Sequence, residues 1–351
     1  MQSDQSFDAF LLVSFGGPER TEDVVPFLEN VTAGRGIPRE RLVEVGRHYY
    51  LFDGVSPINR QCRELLAALR AEFDTAGLDL PLYWGNRNWD PYLTDTVRQM
   101  AADGVRRAVA FLTSAYSSYS SCRQYHDDVA RARAEAGPGA PEIEVIPPYA
   151  THPGFVEAAA ATTRAALERL GPDAAGARLV FTAHSIPLTM AGVSGPSEHR
   201  RGPGGGYAAQ LEEVGRLVAE RLGHREFDLV YQSRSGPPSQ PWLEPDICDH
   251  LESLREQGVR AVVVSPIGFV SDHMEIKYDL DVEAAQAAEK LGLRYARAAA
   301  PGHHPGFAAM VRELVTDRAR GAVPAHLGTL PALPAPCRDG CCPLRAPAPA
   351  G

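Results

Sequence analysis

Short apolar runs alternate along the chain with stretches whose apolar residues recur every three or four positions. The runs lie at 9–13 (AFLLV), 82–84, 107–112 (RAVAFL), 178–182 (RLVFT), 229–232 and 261–264 (AVVV). Helical periodicity marks 60–76, 93–103, 155–170, 207–221 and 247–257. Strand signals that keep alternating with helix signals predict an α/β fold built on parallel sheets.

The pattern also repeats at long range. Asp103-Gly104-Val105-Arg106 leads into one apolar run and Gln257-Gly258-Val259-Arg260 into another, and 258 − 104 gives an offset of 154. His152-Pro153-Gly154-Phe155 returns as His304-Pro305-Gly306-Phe307, where 304 − 152 gives 152. YWGNRNWDPYL at 83–93 has a counterpart in YQSRSGPPSQPWL at 231–243. Matched pairs at nearly constant spacing predict two similar halves, 7–150 and 151–320, with a ligand cleft at their strand C-termini. A tail at 331–351 (PALPAPCRDGCCPLRAPAPAG) is rich in Pro and Ala and would be disordered but for its cysteines.

Composition narrows the function classes. A chain of 351 residues suits two domains. A net charge of −9 offers no surface for nucleic acid or anionic lipid. The start, MQSDQSFDAFLLVSFGGP, is acidic and its apolar run is short, unlike a signal peptide. No run approaches the ~18 apolar residues of a membrane span. The expectation is a cytoplasmic protein with no membrane insertion. Cys62, Cys122 and Cys248 are scattered, whereas Cys337, Cys341 and Cys342 crowd the tail. Clustered cysteines in a cytosolic chain point to metal rather than to a disulfide framework.

The strongest chemical signal is SDHMEIKYDLDVE at 271–283, directly after an apolar run. Glu275, Asp279 and Glu283 are spaced i, i+4, i+8, so on a helix they form one acidic stripe headed by His273. Like charges at that spacing repel, and Lys277 lies off the stripe. Either the stripe is a solvated helix face or it guides a cation. His184, in TAHSIP at 182–187, follows another apolar run of the same half. It is either a loop histidine bonded to backbone or a proton acceptor and ligand for a borderline metal. Oxygen donors with one histidine suit a divalent ion held loosely and passed on. There is no Gly-x-Ser-x-Gly elbow and no phosphate-binding P-loop. The glycine run at 202–206 (GPGGG) reads as a mobile loop.

In order and spacing, FLLVSFGGP near the start, HSIP at 184–187, QSRSG and PWLEP within 232–245, and SPIGFVSDHMEIKYDLD at 265–281 resemble the ferrochelatases. The resemblance runs from 7 to 320, and its detail is similar to the actinobacterial coproporphyrin III ferrochelatases. It implies two Rossmann-like, doubly wound, chelatase-like domains facing a porphyrin cleft. It implies a lyase that inserts Fe2+ into coproporphyrin III in haem biosynthesis, releasing two protons. By motif match, His184 and Glu275 are the paired catalytic and metal-site residues. Ser56 and Tyr125 are porphyrin-contacting, Asp279 and Glu283 form an outer metal path, and His273 is a helper. Transient contact with other haem-pathway enzymes is also implied. Phe15 stands where some relatives that use coproporphyrin have an iron-reaching tyrosine.

The resemblance further implies a [2Fe–2S] cluster on Cys337, Cys341 and Cys342. Such a cluster takes four thiolates. Ala158 matches the position of the relatives' fourth ligand and cannot serve, so Cys122, Cys248, Cys62 or a non-cysteine ligand stays open, as does zinc. Three other functions compete: a protoporphyrin IX ferrochelatase, a cobalt or nickel chelatase of a sirohydrochlorin-type ring, and a two-lobed carrier without chemistry. Sirohydrochlorin chelatases place two histidines at the metal, which favours iron here.

Overall fold

The computed structural model describes residues 7–236, 239–338 and 340–344. Eight strands form two four-stranded parallel sheets. The first contains β1 (Ala9–Ser14), β2 (Leu82–Asn86), β3 (Arg107–Leu112) and β4 (Glu142–Val145), in the order β2-β1-β3-β4. The second contains β5 (Arg178–His184), β6 (Phe227–Gln232), β7 (Ala261–Ser265) and β8 (Arg294–Arg297), in the order β6-β5-β7-β8. The two orders are the same when read along the chain, as the internal repeat predicts.

The central strands β1, β3, β5 and β7 are covered by helices on both faces, so almost every residue in them is apolar and buried. The edge strands β4 (EIEV) and β8 (RYAR) escape the apolar-run search for the same reason reversed. They are four residues long, and their charged positions reach solvent. The helices Ile58–Ala76, Leu93–Ala102, Pro153–Leu170, Gly205–Leu222 and Ile247–Glu256 fall on the five predicted stretches. Val24–Val31, Arg39–Tyr50, Gln124–Ala136 and Gly306–Arg320 are additional helices.

The chain forms two compact units whose boundaries interleave in sequence. One unit takes the residues up to Thr113 with Tyr125–Ile146 and Ser271–Tyr278; the other takes Ser114–Gln124, Pro147–Val270 and Asp279 onward. Side-chain packing explains both exchanges. Met274 joins Val24, Phe27, Leu28, Leu42 and Tyr49 in a cluster of the first unit. Tyr116 is buried edge-on to Phe155 and Tyr207 in the second, and its hydroxyl donates to the Ile267 carbonyl at 2.8 Å. Among the described residues no helix is long and apolar enough to cross a membrane.

The glycine run is not a mobile loop. Gly205 opens the helix Gly205–Leu222 at φ +59°, and a Cβ there would come within 1.9 Å of the Ala191 carbonyl oxygen. A Cβ at Gly206 would lie 2.8 Å from the Ser194 carbonyl oxygen. The glycines are packing devices that let a helix start against a neighbouring turn. Gly205→Ala combines a left-handed backbone with a steric overlap, so we expect a loss of about 2–3 kcal/mol in urea unfolding. A surface-like change below about 0.5 kcal/mol would contradict this packing role.

Candidate active site

In the second unit, the site is built at the C-terminal end of β5. His184 is the last residue of that strand and pairs in register with Gln232 of β6. Strand alternation puts Thr182, His184 and Gln232 on one face of the sheet. His184 Nδ1 lies 2.5 Å from the Ser185 carbonyl oxygen. A carbonyl only accepts, so Nδ1 carries the proton and the basic lone pair of the neutral ring sits on Nε2. The backbone-bonded histidine and the chemically useful histidine are therefore one and the same. Tyr207 fixes the strand end from behind, donating its hydroxyl to the His184 carbonyl at 3.1 Å.

Gln232 carries the arrangement outward. Its Oε1 accepts from Thr182 Oγ1 at 2.9 Å, and its Nε2 donates to Asp279 Oδ2 at 3.2 Å. Ser233, held at φ +62°, also donates its hydroxyl to Asp279. One carboxylate of the sequence-predicted path is thus bound to the residue paired with His184. Gln232 was not singled out from the sequence. The signal was a polar side chain ending an apolar strand (LVYQ).

The acidic stripe is helical, but it is not one α-helical face. Met274–Tyr278 is a short α-helix, and Asp279–Ala284 follows as a π-helix. A π turn is wider than an α turn, so Asp279 and Glu283 do not keep the i, i+4 alignment of an α-helix. Glu283 instead joins an acidic group with Asp246, Asp249 and Asp279. Its carboxyl is held above the ordinary value, first by burial and then by the charge of Asp246, although part of the side chain reaches solvent. Asp246, whose carboxylate caps the helix Ile247–Glu256, is likewise raised by burial. In their midst, burial and the surrounding carboxylates push the Cys248 thiol up to about 12. Asp246 and Asp249 were not singled out from the sequence, because they lie far along the chain in PWLEPDICD.

The first unit holds the other predicted residues. Glu275 is exposed, with its Oε2 3.8 Å from His273 Nδ1. Lys277 caps the Phe52 ring at 5.3 Å, and Tyr278 stacks on His48 at 3.7 Å. Ser56 is buried, and its N–H donates to the Pro18 carbonyl at 2.8 Å. It packs so tightly against Gly17 that a Cβ at that glycine would lie 2.7 Å from the Ser56 Cβ. Phe15 leans edge-on to Phe27. Tyr125 is buried in the sheet's hydrophobic cluster, under the Arg87 guanidinium at 4.4 Å. Burial raises its hydroxyl, and the nearby Arg87 charge lowers it in part. Arg87 in turn pairs with Asp128, both side chains being less than a tenth exposed.

Among the described residues, no three His, Cys, Asp or Glu side chains converge so as to hold a single metal ion.

Comparison with known proteins matches these features to one family. The ferrochelatase family model matches residues 7–319. The chain is 56% identical to the coproporphyrin III ferrochelatase of Streptomyces coelicolor, over 98% of this chain and 95% of that protein. It is 53% identical to the coproporphyrin III ferrochelatase of Nocardia farcinica, over 98% and 99%. Among solved structures it is similar to SirB from Bacillus subtilis with Fe3+, at a TM-score of 0.53 and 13% identity, over 89% of this chain and 97% of that one. At that identity the likeness concerns the fold alone.

Proposed function

The chain belongs to the ferrochelatase family, and from this premise we propose that it is a lyase that inserts Fe2+ into coproporphyrin III for haem synthesis. The observation that carries the reading is identity above 50%, over nearly the whole chain, to proteins with that activity. The proposed working compartment is the cytoplasm, where thiols and Fe2+ stay reduced.

Insertion exchanges two pyrrole protons for one Fe2+. His184 is the residue suited to the exchange. With Nδ1–H engaged by Ser185, its Nε2 lone pair can take a pyrrole proton or hand over the metal. Glu275 is proposed as the paired metal-site carboxylate, with His273 as its helper; this follows from the motif match. A histidine nitrogen and carboxylate oxygens bind Fe2+ without the grip of thiolates, so the ion can leave for the ring. Ser56 and Tyr125 are proposed to donate to substrate carboxylates. Both are buried, and a charge-assisted bond gains strength away from water. Phe15 has no ligating atom, so iron in the product takes no ligand from it.

Asp279 and Glu283 are proposed as the metal's approach. Asp279 is anchored by Gln232 and Ser233, so removing its charge leaves the shape in place. We expect Asp279→Asn to raise the KM for Fe2+ about tenfold with a much smaller change in kcat. Initial rates across Fe2+ concentrations check this, and an unchanged KM would take Asp279 out of the path.

A [2Fe–2S] cluster on the tail cysteines is part of the reading. Cys337, Cys341 and Cys342 are free thiols, and Cys341 Sγ lies 3.6 Å from Cys342 Sγ. Soft thiolates of this kind suit iron–sulfur ligation. When bound, the cluster supplies one-electron chemistry or a cross-link for the tail.

Anaerobic incubation with Fe2+ and coproporphyrin III tests the activity. The free-base porphyrin spectrum should give way to the metalloporphyrin spectrum, with release of two protons per ring. Absence of turnover would overturn the reading.

A further inference from the structure

The cluster reading above has three ligands and needs a fourth; the inference rests on that reading and concerns this chain's own cysteines. Four of the six meet in the second unit. Cys341 Sγ is 3.6 Å from Cys342 Sγ, and Cys342 Sγ is held by the Gly195 N–H at 3.1 Å. Cys122, Cys337 and Cys341 also line one cavity of about 190 Å3, together with Arg200 and Arg338.

We propose that Cys122, Cys337, Cys341 and Cys342 hold the [2Fe–2S] cluster, with Cys122 as the fourth ligand that Ala158 cannot supply. In a binuclear cluster each iron takes two thiolates and two bridging sulfides. Assembly from two Fe3+ and two sulfides displaces the four thiol protons and leaves every oxidation state unchanged.

The fold brings the two ends together by a polar network. Gln210 accepts the Ser117 N–H at 2.9 Å and donates to both Ser117 Oγ and His199 Nδ1. His199 Nε2 donates to the Pro331 carbonyl at 2.8 Å. One glutamine and one histidine therefore tie the segment leading to Cys122 to the start of the tail. Cys122 sits on the π-helix Tyr119–Arg123, capped by Ser118, and donates its thiol proton to the Ser118 carbonyl. Further on, the tail is pinned by Arg338 to Glu198 at 3.0 Å.

The surroundings suit an anionic cluster. The Gly195 N–H donates to Cys342 Sγ at 3.1 Å, the kind of bond that tunes cluster sulfur. Arg123 and Arg200 place positive charge beside Cys341. The other cysteines lack this setting. Cys248 lies among carboxylates, and Cys62 is buried in the first unit.

The full-length chain, purified or reconstituted anaerobically, should carry about two irons and two sulfides, with visible absorption before porphyrin is added. Cys122→Ala should lose that absorption and most of its iron, while Cys248→Ala and Cys62→Ala keep both. A near-isosteric Cys122→Ser variant should lose the cluster or show shifted absorption and electron-spin-resonance spectra. Circular dichroism and the unfolding midpoint show whether each variant folds. A coloured wild type whose Cys122→Ala and Cys122→Ser variants keep its spectrum would overturn the Cys122 assignment and leave the cluster reading standing. A colourless wild type holding zinc would overturn the cluster reading itself.

Discussion

Replacing His184 with alanine should stop iron insertion and leave the protein folded. A positioned general base contributes roughly 10²–10⁴-fold, and His184 is assigned to proton acceptance or metal transfer at the reacting centre, so kcat should fall by about 10³. The cost to stability should be small. The His184 side chain is only half-buried, and its Nδ1 bonds the adjacent Ser185 carbonyl, which solvent can satisfy. The strand is held by backbone pairing to Gln232 and by Tyr207 on the His184 carbonyl, neither of which needs the imidazole. We therefore expect the unfolding free energy to change by less than about 1 kcal/mol. Measuring kcat beside the unfolding midpoint separates the two effects. Normal turnover would remove His184 from the chemistry, and a collapsed midpoint would make it a structural residue.

The second large effect is on stability. Asp128→Ala should cost about 3–5 kcal/mol, because it leaves the Arg87 guanidinium buried without its carboxylate. Arg87 would remain against the Tyr125 and Phe15 rings, at 4.4 and 5.7 Å, and ring faces offset only part of a desolvated charge. The reverse change is milder. Arg87→Ala leaves Asp128 with Arg131, whose NH2 lies 2.6 Å from Oδ1 and whose side chain is solvated. Urea unfolding of both variants should show Asp128→Ala as clearly the more damaging. Equal losses would mean that the pair acts through packing and not through charge.

The parts of this structure that were legible in the sequence are those with a local cause. Central strands buried on both faces have to be apolar, so β1, β3, β5 and β7 stood out, and the repeat announced two sheets of one topology. The edge strands β4 and β8 did not, because a short strand with one solvated side looks like any polar stretch. The glycine run misled, since its need for space comes from Ala191 and Ser194, which only tertiary packing brings near. The acidic stripe was defined only for the case of a helix, and the π turn that the chain makes there is invisible to residue spacing. His184 was found from its place after a strand, whereas Gln232, which ties Asp279 to the end of the sheet, was hidden in a motif as an ordinary amide. Cys122 was one of several candidates on sequence alone; the Gln210 and His199 network that carries it to the tail is long-range.

The most direct test of the account is kcat/KM for Fe2+ insertion into coproporphyrin III and protoporphyrin IX, measured side by side and anaerobically. Buried donors such as Ser56 and Tyr125, matched to substrate carboxylates, should favour the ring that bears more of them. The account predicts a preference for coproporphyrin III of at least about tenfold. Equal rates, a preference for protoporphyrin IX, or insertion of cobalt into a sirohydrochlorin-type ring with no iron insertion would contradict it.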